Sequence, residues 1–262
     1  MLTPGIDFIN FKIKKNSSLV KKNLASILKS KNEAINSLSQ NYKNSFTKKF
    51  LLKYKKTSNY RVIGMGGSTL GSHTIYDFLI HKIKKNFIFT DNLQANPVKN
   101  KKKCTNLIVS KSGNTIETIV NANIFIKKKD KNIFITENKN SYLFSLAKKL
   151  KSDIIHHNNY IGGRYSVLSE VGMLPSELMG LNPQKFRQLN NLVRNKSFMN
   201  SLIKNVSATV FYLQKKKFNS IIINYDEKST NLFNWYQQLI AESLGKKGNG
   251  ILPVISNMPK DN

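Results

Sequence analysis

The sequence predicts an α/β protein built on a doubly wound parallel sheet, with a helical segment before it and the start of a second αβ unit after it. Three observations lead there. Five short apolar runs, YRVIG, NFIFT, TNLIVS, NIFIT and DIIHH, follow one another from Tyr60, most of them separated by amphipathic stretches of helical length. That alternation is the pattern of strands covered on both faces by crossover helices. Two of the runs open directly into turns rich in glycine or hydroxyl side chains. With 262 residues and 40% hydrophobic content, the chain has apolar material for one large domain or two modest ones.

Taken in order, residues 1–56 are polar and lysine-rich, and Leu19, Leu24, Ile27 and Leu28 recur at helical spacing. This segment is expected to be a helical lead-in. Residues 57–194 form the predicted first domain, mostly helical from Glu170 onward with a break at Gly180-Leu181-Asn182-Pro183. From about residue 195 a second domain begins and is incomplete at 262: the run SIIINY, the helical segment NLFNWYQQLIAESLG and the short run GILPVIS. The chain shows no internal repeat and no apolar run near the roughly 18 residues that span a bilayer. The opening MLTPGIDFINFKIKK lacks the order of a signal peptide, so the protein is expected in the cytoplasm, away from membranes.

The formal charge of +29 taken alone argues for a nucleic-acid or other anionic partner. Its make-up argues against nucleic acid. Arg61, Arg164, Arg187 and Arg194 are the only arginines, and the lysines spread along the chain. Nucleic-acid readers favour the planar fork of arginine and interleave aromatics at stacking positions. Runs such as Lys101–Lys103, Lys127–Lys129 and Lys215–Lys217 read as solvated faces. The lone Cys104 can form no internal disulfide and has no second thiolate or histidine cluster beside it, so it reads as a core or strand-edge residue and no metal site is expected.

Four motifs carry chemistry. Gly64-Met65-Gly66-Gly67-Ser68-Thr69-Leu70-Gly71 lies where a strand gives way to a helix, where glycines let backbone N–H groups approach an anion. A dinucleotide fingerprint is the rival reading, with Asp91 near its acidic position, but Thr69 stands where the third glycine belongs. Ser110-Lys111-Ser112-Gly113-Asn114-Thr115-Ile116-Glu117-Thr118 sets several hydroxyls at a helix start, suited to a phosphate; the plainer reading is Thr115 as a helix cap. Gly162-Gly163-Arg164 places a rigid cation after two glycines, able to meet an oxyanion or to form an ordinary surface ion pair. Gln238 and Glu242 lie four apart on one helix face ended by Gly245, where an isolated glutamate is most often a surface residue.

Together and in this order, GMGGSTLG, SKSGNTIET, GGRYSVLSEVGMLP and WYQQLIAESLGK resemble the glucose-6-phosphate isomerase family over roughly residues 60–262. The resemblance implies sugar-isomerase (SIS) domains and interconversion of glucose 6-phosphate and fructose 6-phosphate in glycolysis and gluconeogenesis. It implies no cofactor, and a homodimer where the full-length fold is complete. Position by position, Gly67 and Ser68 would touch the sugar phosphate, and Ser110, Lys111, Ser112 and Thr115 would hold it. Arg164 would stabilise an enediolate, Gln238 would orient the sugar, and Glu242 would carry the proton between C2 and C1.

Two of the family's groups, a histidine for ring opening and a lysine near its C-terminus, are not identifiable here. His73 falls on the helix after the glycine turn, and His81, His156 and His157 read as helix-surface or strand-end residues. The chain stops at Pro259-Lys260-Asp261-Asn262, where the family continues with an Asp-x-His-Ser segment. The expectation is an isomerase cut short or split. A non-catalytic sugar-phosphate-binding module is the alternative, and a lysine-rich nucleic-acid binder, with steeply salt-dependent DNA binding, is a third.

Overall fold

The computed structural model describes residues 17–93, 103–127 and 130–258. The opening segment, parts of the lysine runs at 101–103 and 127–129, and the last four residues lie outside the described residues.

All five expected strands form, as β1 (Asn59–Ile63), β2 (Asn86–Thr90), β3 (Thr105–Val109), β4 (Lys131–Thr136) and β5 (Asp153–His156). They make one parallel sheet in the order β2-β1-β3-β4-β5. The order reverses between β1 and β3, and in open α/β sheets the crevice beyond the carboxyl ends of the strands at such a reversal is where ligands sit. The glycine turn follows β1 and the hydroxyl loop follows β3, so both border that crevice.

The helices, in chain order, are α1 (Ser18–Lys29), α2 (Glu33–Asn36), α3 (Lys48–Leu52), α4 (Leu70–Leu79), α5 (Ile116–Phe125), α6 (Tyr142–Lys149), α7 (Glu170–Leu178), α8 (Leu189–Arg194), α9 (Lys196–Gln214) and α10 (Thr230–Leu244). Strand side chains alternate between two cores. Val62, Leu107, Val109, Ile133 and Ile135 pack with Ile75 of α4 and with Val171, Leu174 and Leu178 of α7. Ile63, Ile108 and Phe134 pack with Ala122 and Phe125 of α5 and Leu143 and Ala147 of α6. Both faces are therefore covered, which is why these strands read as continuous apolar runs.

The lead-in is more than a polar helix. In α1 no residue is buried, and Leu19 and Ile27 face solvent. The segment's anchors are Tyr42, Phe46 and Tyr54, all buried. Tyr54 donates its hydroxyl to Asp153 at 2.6 Å and Tyr60 donates to the Tyr54 carbonyl at 2.8 Å, fastening this segment to the sheet. Arg187, 1% exposed, donates to the carbonyls of Tyr42 and Leu168 and to Asn44, so a buried cation is satisfied by neutral oxygens. Cys104 is buried immediately before β3.

Past the break after α7, the strands β6 (Asn219–Asn224) and β7 (Leu252–Asn257) pair in parallel across α10. Ile221 and Val254 are partners in that register, and both are exposed, so one face of this small sheet stays open. Helix α10 packs on α4 as well as on β7, which brings its last turns to the carboxyl end of the five-stranded sheet.

Candidate active site

The glycine turn is a joint between segments. Gly66 has φ +52°, and a Cβ there would stand 2.6 Å from Gln238 Nε2. A Cβ on Gly67 would lie 2.5 Å from the backbone nitrogen of Arg164. The close approach these glycines permit is thus, first, to α10 and to the Gly162-Gly163-Arg164 turn. Ser68 ends the 3-10 turn Gly66–Ser68 and is half-buried.

In the loop after β3, the plainer expectation for Thr115 fails. Thr115 precedes α5 in extended geometry, but its side chain makes no cap hydrogen bond. Its hydroxyl instead lies 2.9 Å from that of Ser110, which also accepts the N–H of Gly113 at 3.2 Å. Ser112 accepts the N–H of Asn114 at 3.1 Å, and Gly113 has φ +68°. Two facing hydroxyls thus stand at the positive end of a ten-residue helix whose first N–H groups have no side-chain cap. Lys111, in the same loop, has partners of its own. Its ammonium donates to the carbonyl of Asn159 at 2.7 Å and lies 3.6 Å from Glu137. Burial raises the Glu137 carboxyl, but the hydrogen bonds and charges of Lys139 and Lys111 outweigh burial and leave it below its ordinary value.

Arg164, Gln238 and Glu242 come together. Arg164 Nη1 donates to Glu242 Oε2 at 3.2 Å, and Gln238 Nε2 donates to Glu242 Oε1 at 2.9 Å. Trp235 Nε1 donates to the Arg164 carbonyl at 2.9 Å, locking the turn to α10. The Glu242 side chain is 50% exposed and that of Arg164 25%. The surface ion pair considered for Arg164 and the surface position considered for Glu242 are the same contact. Two residues inside the motifs to which the sequence assigns no part, Tyr165 and Ser243, both touch this cluster; an aromatic next to the arginine and a hydroxyl next to the glutamate were the available signals.

The histidines lie apart from it. His73 is on α4, stacked on Phe89 at 4.0 Å and 3.8 Å from Asp77; His81 and His156 are exposed. His157 follows β5, as expected of a strand-end residue, but it is fully buried. Among the described residues no group of three or more His, Cys, Asp or Glu is placed to hold a metal ion, and no helix is long and apolar enough to cross a membrane.

The glucose-6-phosphate isomerase of Methanocaldococcus jannaschii is 34% identical over 230 residues, covering 80% of this chain and 57% of the relative. That of Mycoplasmopsis synoviae is 33% identical over 219 residues, covering 73% and 51%. The chain thus spans just over half the length of the relatives it matches. Among solved structures, a hypothetical protein from Thermus thermophilus superposes with a TM-score of 0.70 at 21% identity, covering 94% of this chain and 65% of that one. The tagatose-6-phosphate ketose/aldose isomerase of Escherichia coli superposes with a TM-score of 0.56 at 16% identity, covering 80% and 59%. These likenesses show that the fold is that of the SIS-type phosphosugar isomerases. The phosphoglucose isomerase family profile matches residues 33–251, and with the four motifs in place along that span the chain belongs to the phosphoglucose isomerase family.

Proposed function

We propose that the chain binds a phosphosugar and moves the proton in the aldose–ketose isomerisation of glucose 6-phosphate and fructose 6-phosphate. The observation that carries this reading is the Gln238–Glu242–Arg164 cluster, closed against the glycine turn where the strand order of the sheet reverses. There a carboxylate, a guanidinium and an amide converge.

The proposed phosphate position is the Ser110, Ser112 and Thr115 loop, with Gly67 and Ser68 alongside and Lys111 adding charge. Held there, the sugar presents C1 and C2 to Glu242. The carboxylate takes the proton from C2 of the open aldose, the C–H electrons form the C1–C2 double bond, and negative charge collects on the sugar oxygens. Arg164, released from Glu242, meets that charge. A proton passes from O2 to O1, Glu242 returns its own proton to C1 and C2 becomes the carbonyl, so the isomerisation needs no oxidant and consumes nothing. Gln238 remains on Glu242 and fixes the side from which the proton moves.

The test is hydrogen exchange on open-chain fructose 6-phosphate in deuterated solvent, which reads the base independently of ring opening. Deuterium entering C1 in the presence of the protein supports the reading; tight binding without exchange supports a binding module instead. That second reading is favoured by one observation, the pairing of Glu242 with Arg164.

A further inference from the structure

The hydroxyls of Tyr165 and Ser243 take no part in the steps above, but they touch the guanidinium on which those steps depend. Ser243 Oγ accepts from Arg164 Nε at 2.9 Å and lies 2.5 Å from the Tyr165 hydroxyl. The guanidinium carbon stands 4.9 Å from the centroid of the Tyr165 ring. Nη1 is the nitrogen that goes to Glu242. The arginine is therefore gripped along its Nε edge and on one face, while the nitrogen facing the carboxylate belongs to a half-exposed pair that opens at little cost.

We infer that Ser243 and Tyr165 are positioning residues that anchor Arg164, so that Nη1 can pass from Glu242 to a substrate oxyanion without the guanidinium swinging away. The oxyanion rests on the isomerase reading; the anchoring does not. An arginine free to rotate would lose rotamer entropy each time it met the developing charge, and the two hydroxyl-bearing side chains remove that freedom beforehand. With Arg164 Nε–H directed at Ser243 Oγ, the serine hydrogen is available to the phenol oxygen, which gives a short chain from cation to phenol. The phenol bears its mark. Burial pushes it up, but the hydrogen bonds of Ser243 and Arg164 and the charges of Arg164 and Lys246 outweigh burial and leave it below the ordinary tyrosine value.

The test has two arms. Ultraviolet difference absorbance against Tyr165→Phe isolates this phenol from the chain's other tyrosines. Its ionisation in the unaltered chain should fall below that of ordinary tyrosine, Ser243→Ala should move it up, and Ser243→Thr should restore it. The second arm compares binding of a phosphorylated aldonate, whose carboxylate imitates an enediolate, with binding of inorganic phosphate. Ser243→Ala should weaken the aldonate by about tenfold, the scale of one hydrogen bond to a charged group, and leave phosphate unchanged. A Tyr165 transition that Ser243→Ala does not move, or an equal loss for both anions, overturns the anchoring. If the unaltered chain binds neither anion, the isomerase reading falls and the titration alone decides.

Discussion

Arg164 and Glu242, 78 residues apart in the chain, meet as an ion pair with Nη1 3.2 Å from Oε2. The contact joins the group proposed to stabilise charge to the group proposed to move the proton. Half-exposed pairs of this kind contribute about 0–1 kcal/mol, because solvent screens them and two long side chains must be held still. In the proposed reaction a substrate oxyanion would therefore displace the carboxylate from Arg164 at small cost, leaving Glu242 free to act as the base. Gln238 Nε2 donates to the other oxygen, Oε1, so the proposed opening of the ion pair need not break the bond that orients the carboxylate.

Replacing Glu242 by glutamine tests this division of labour. The amide keeps the size of the side chain but cannot take a proton. Binding of fructose 6-phosphate should stay nearly intact while deuterium exchange at C1 drops by about 2 to 4 orders of magnitude, the scale of losing a general base. Exchange that survives in Glu242→Gln would remove this residue from the chemistry.

What the sequence disclosed and what it concealed divide along physical lines. The strands were legible because burial on both faces leaves uninterrupted apolar runs, and Leu107, Ile108 and Val109 are all fully buried. The site motifs were legible because glycines and hydroxyls sit at strand ends, where a backbone must turn. The anchors of the N-terminal segment were not. Tyr42, Phe46 and Tyr54 are single aromatics among lysines and serines, and they become core only because the sheet offers them a place. Nor did the sequence show that Arg164 and Glu242 face each other, since that depends on α10 packing against α4 and the glycine turn.

A second prediction concerns the phosphate. The Thr115 hydroxyl faces Ser110 and leaves the start of α5 without a side-chain cap, so an anion there would gain both hydroxyls and the helix N–H groups. Glucose 6-phosphate should raise the melting temperature and glucose should not. At about 100 times the dissociation constant, linkage is worth about 2.7 kcal/mol. The triple replacement of Ser110, Ser112 and Thr115 by alanine should abolish that protection. If protection persists, the phosphate sits elsewhere.

The joint formed by the glycine turn gives a ranking. Gly67→Ala would put a methyl 2.5 Å from the Arg164 backbone, which cannot move without shifting the whole turn. Gly66→Ala meets only the end of the Gln238 side chain, which can swing away, although its φ of +52° adds strain. Gly67→Ala should cost about 1–3 kcal/mol as overpacking and Gly66→Ala about 1–2 kcal/mol as backbone strain. Denaturant titration should show the larger loss in Gly67→Ala, and the reverse order would mean that the two segments are not tightly joined there.

The last prediction follows from His157, which is fully buried, with Nδ1 3.1 Å from the Asn158 carbonyl and no hydrogen-bond partner for Nε2. Burial lowers its pKa below the ordinary 6.5; the Asn158 carbonyl, Glu170 and Glu137 favour the charged form and Lys111 opposes it, without reversing the shift. Above about pH 6.5 the ring is neutral whether the chain is folded or not. As the pH falls below that value the unfolded chain takes up a proton and the folded chain does not, so stability declines until the folded value is reached. The slope is at most about 1.4 kcal/mol per pH unit for each such histidine. His73, also lowered by burial against the pull of Asp77 and Asp91, adds a decline of the same sign. Glu177, raised by burial, works in the opposite sense toward the carboxylate range, so the contribution of His157 is read from the difference between the unaltered chain and His157→Gln, where the other groups cancel. Urea titrations across about pH 5 to 7.5 should show a shallower decline in His157→Gln. Parallel curves would mean that His157 takes up its proton as readily in the folded chain as in the unfolded one, and that its burial imposes no penalty on charge.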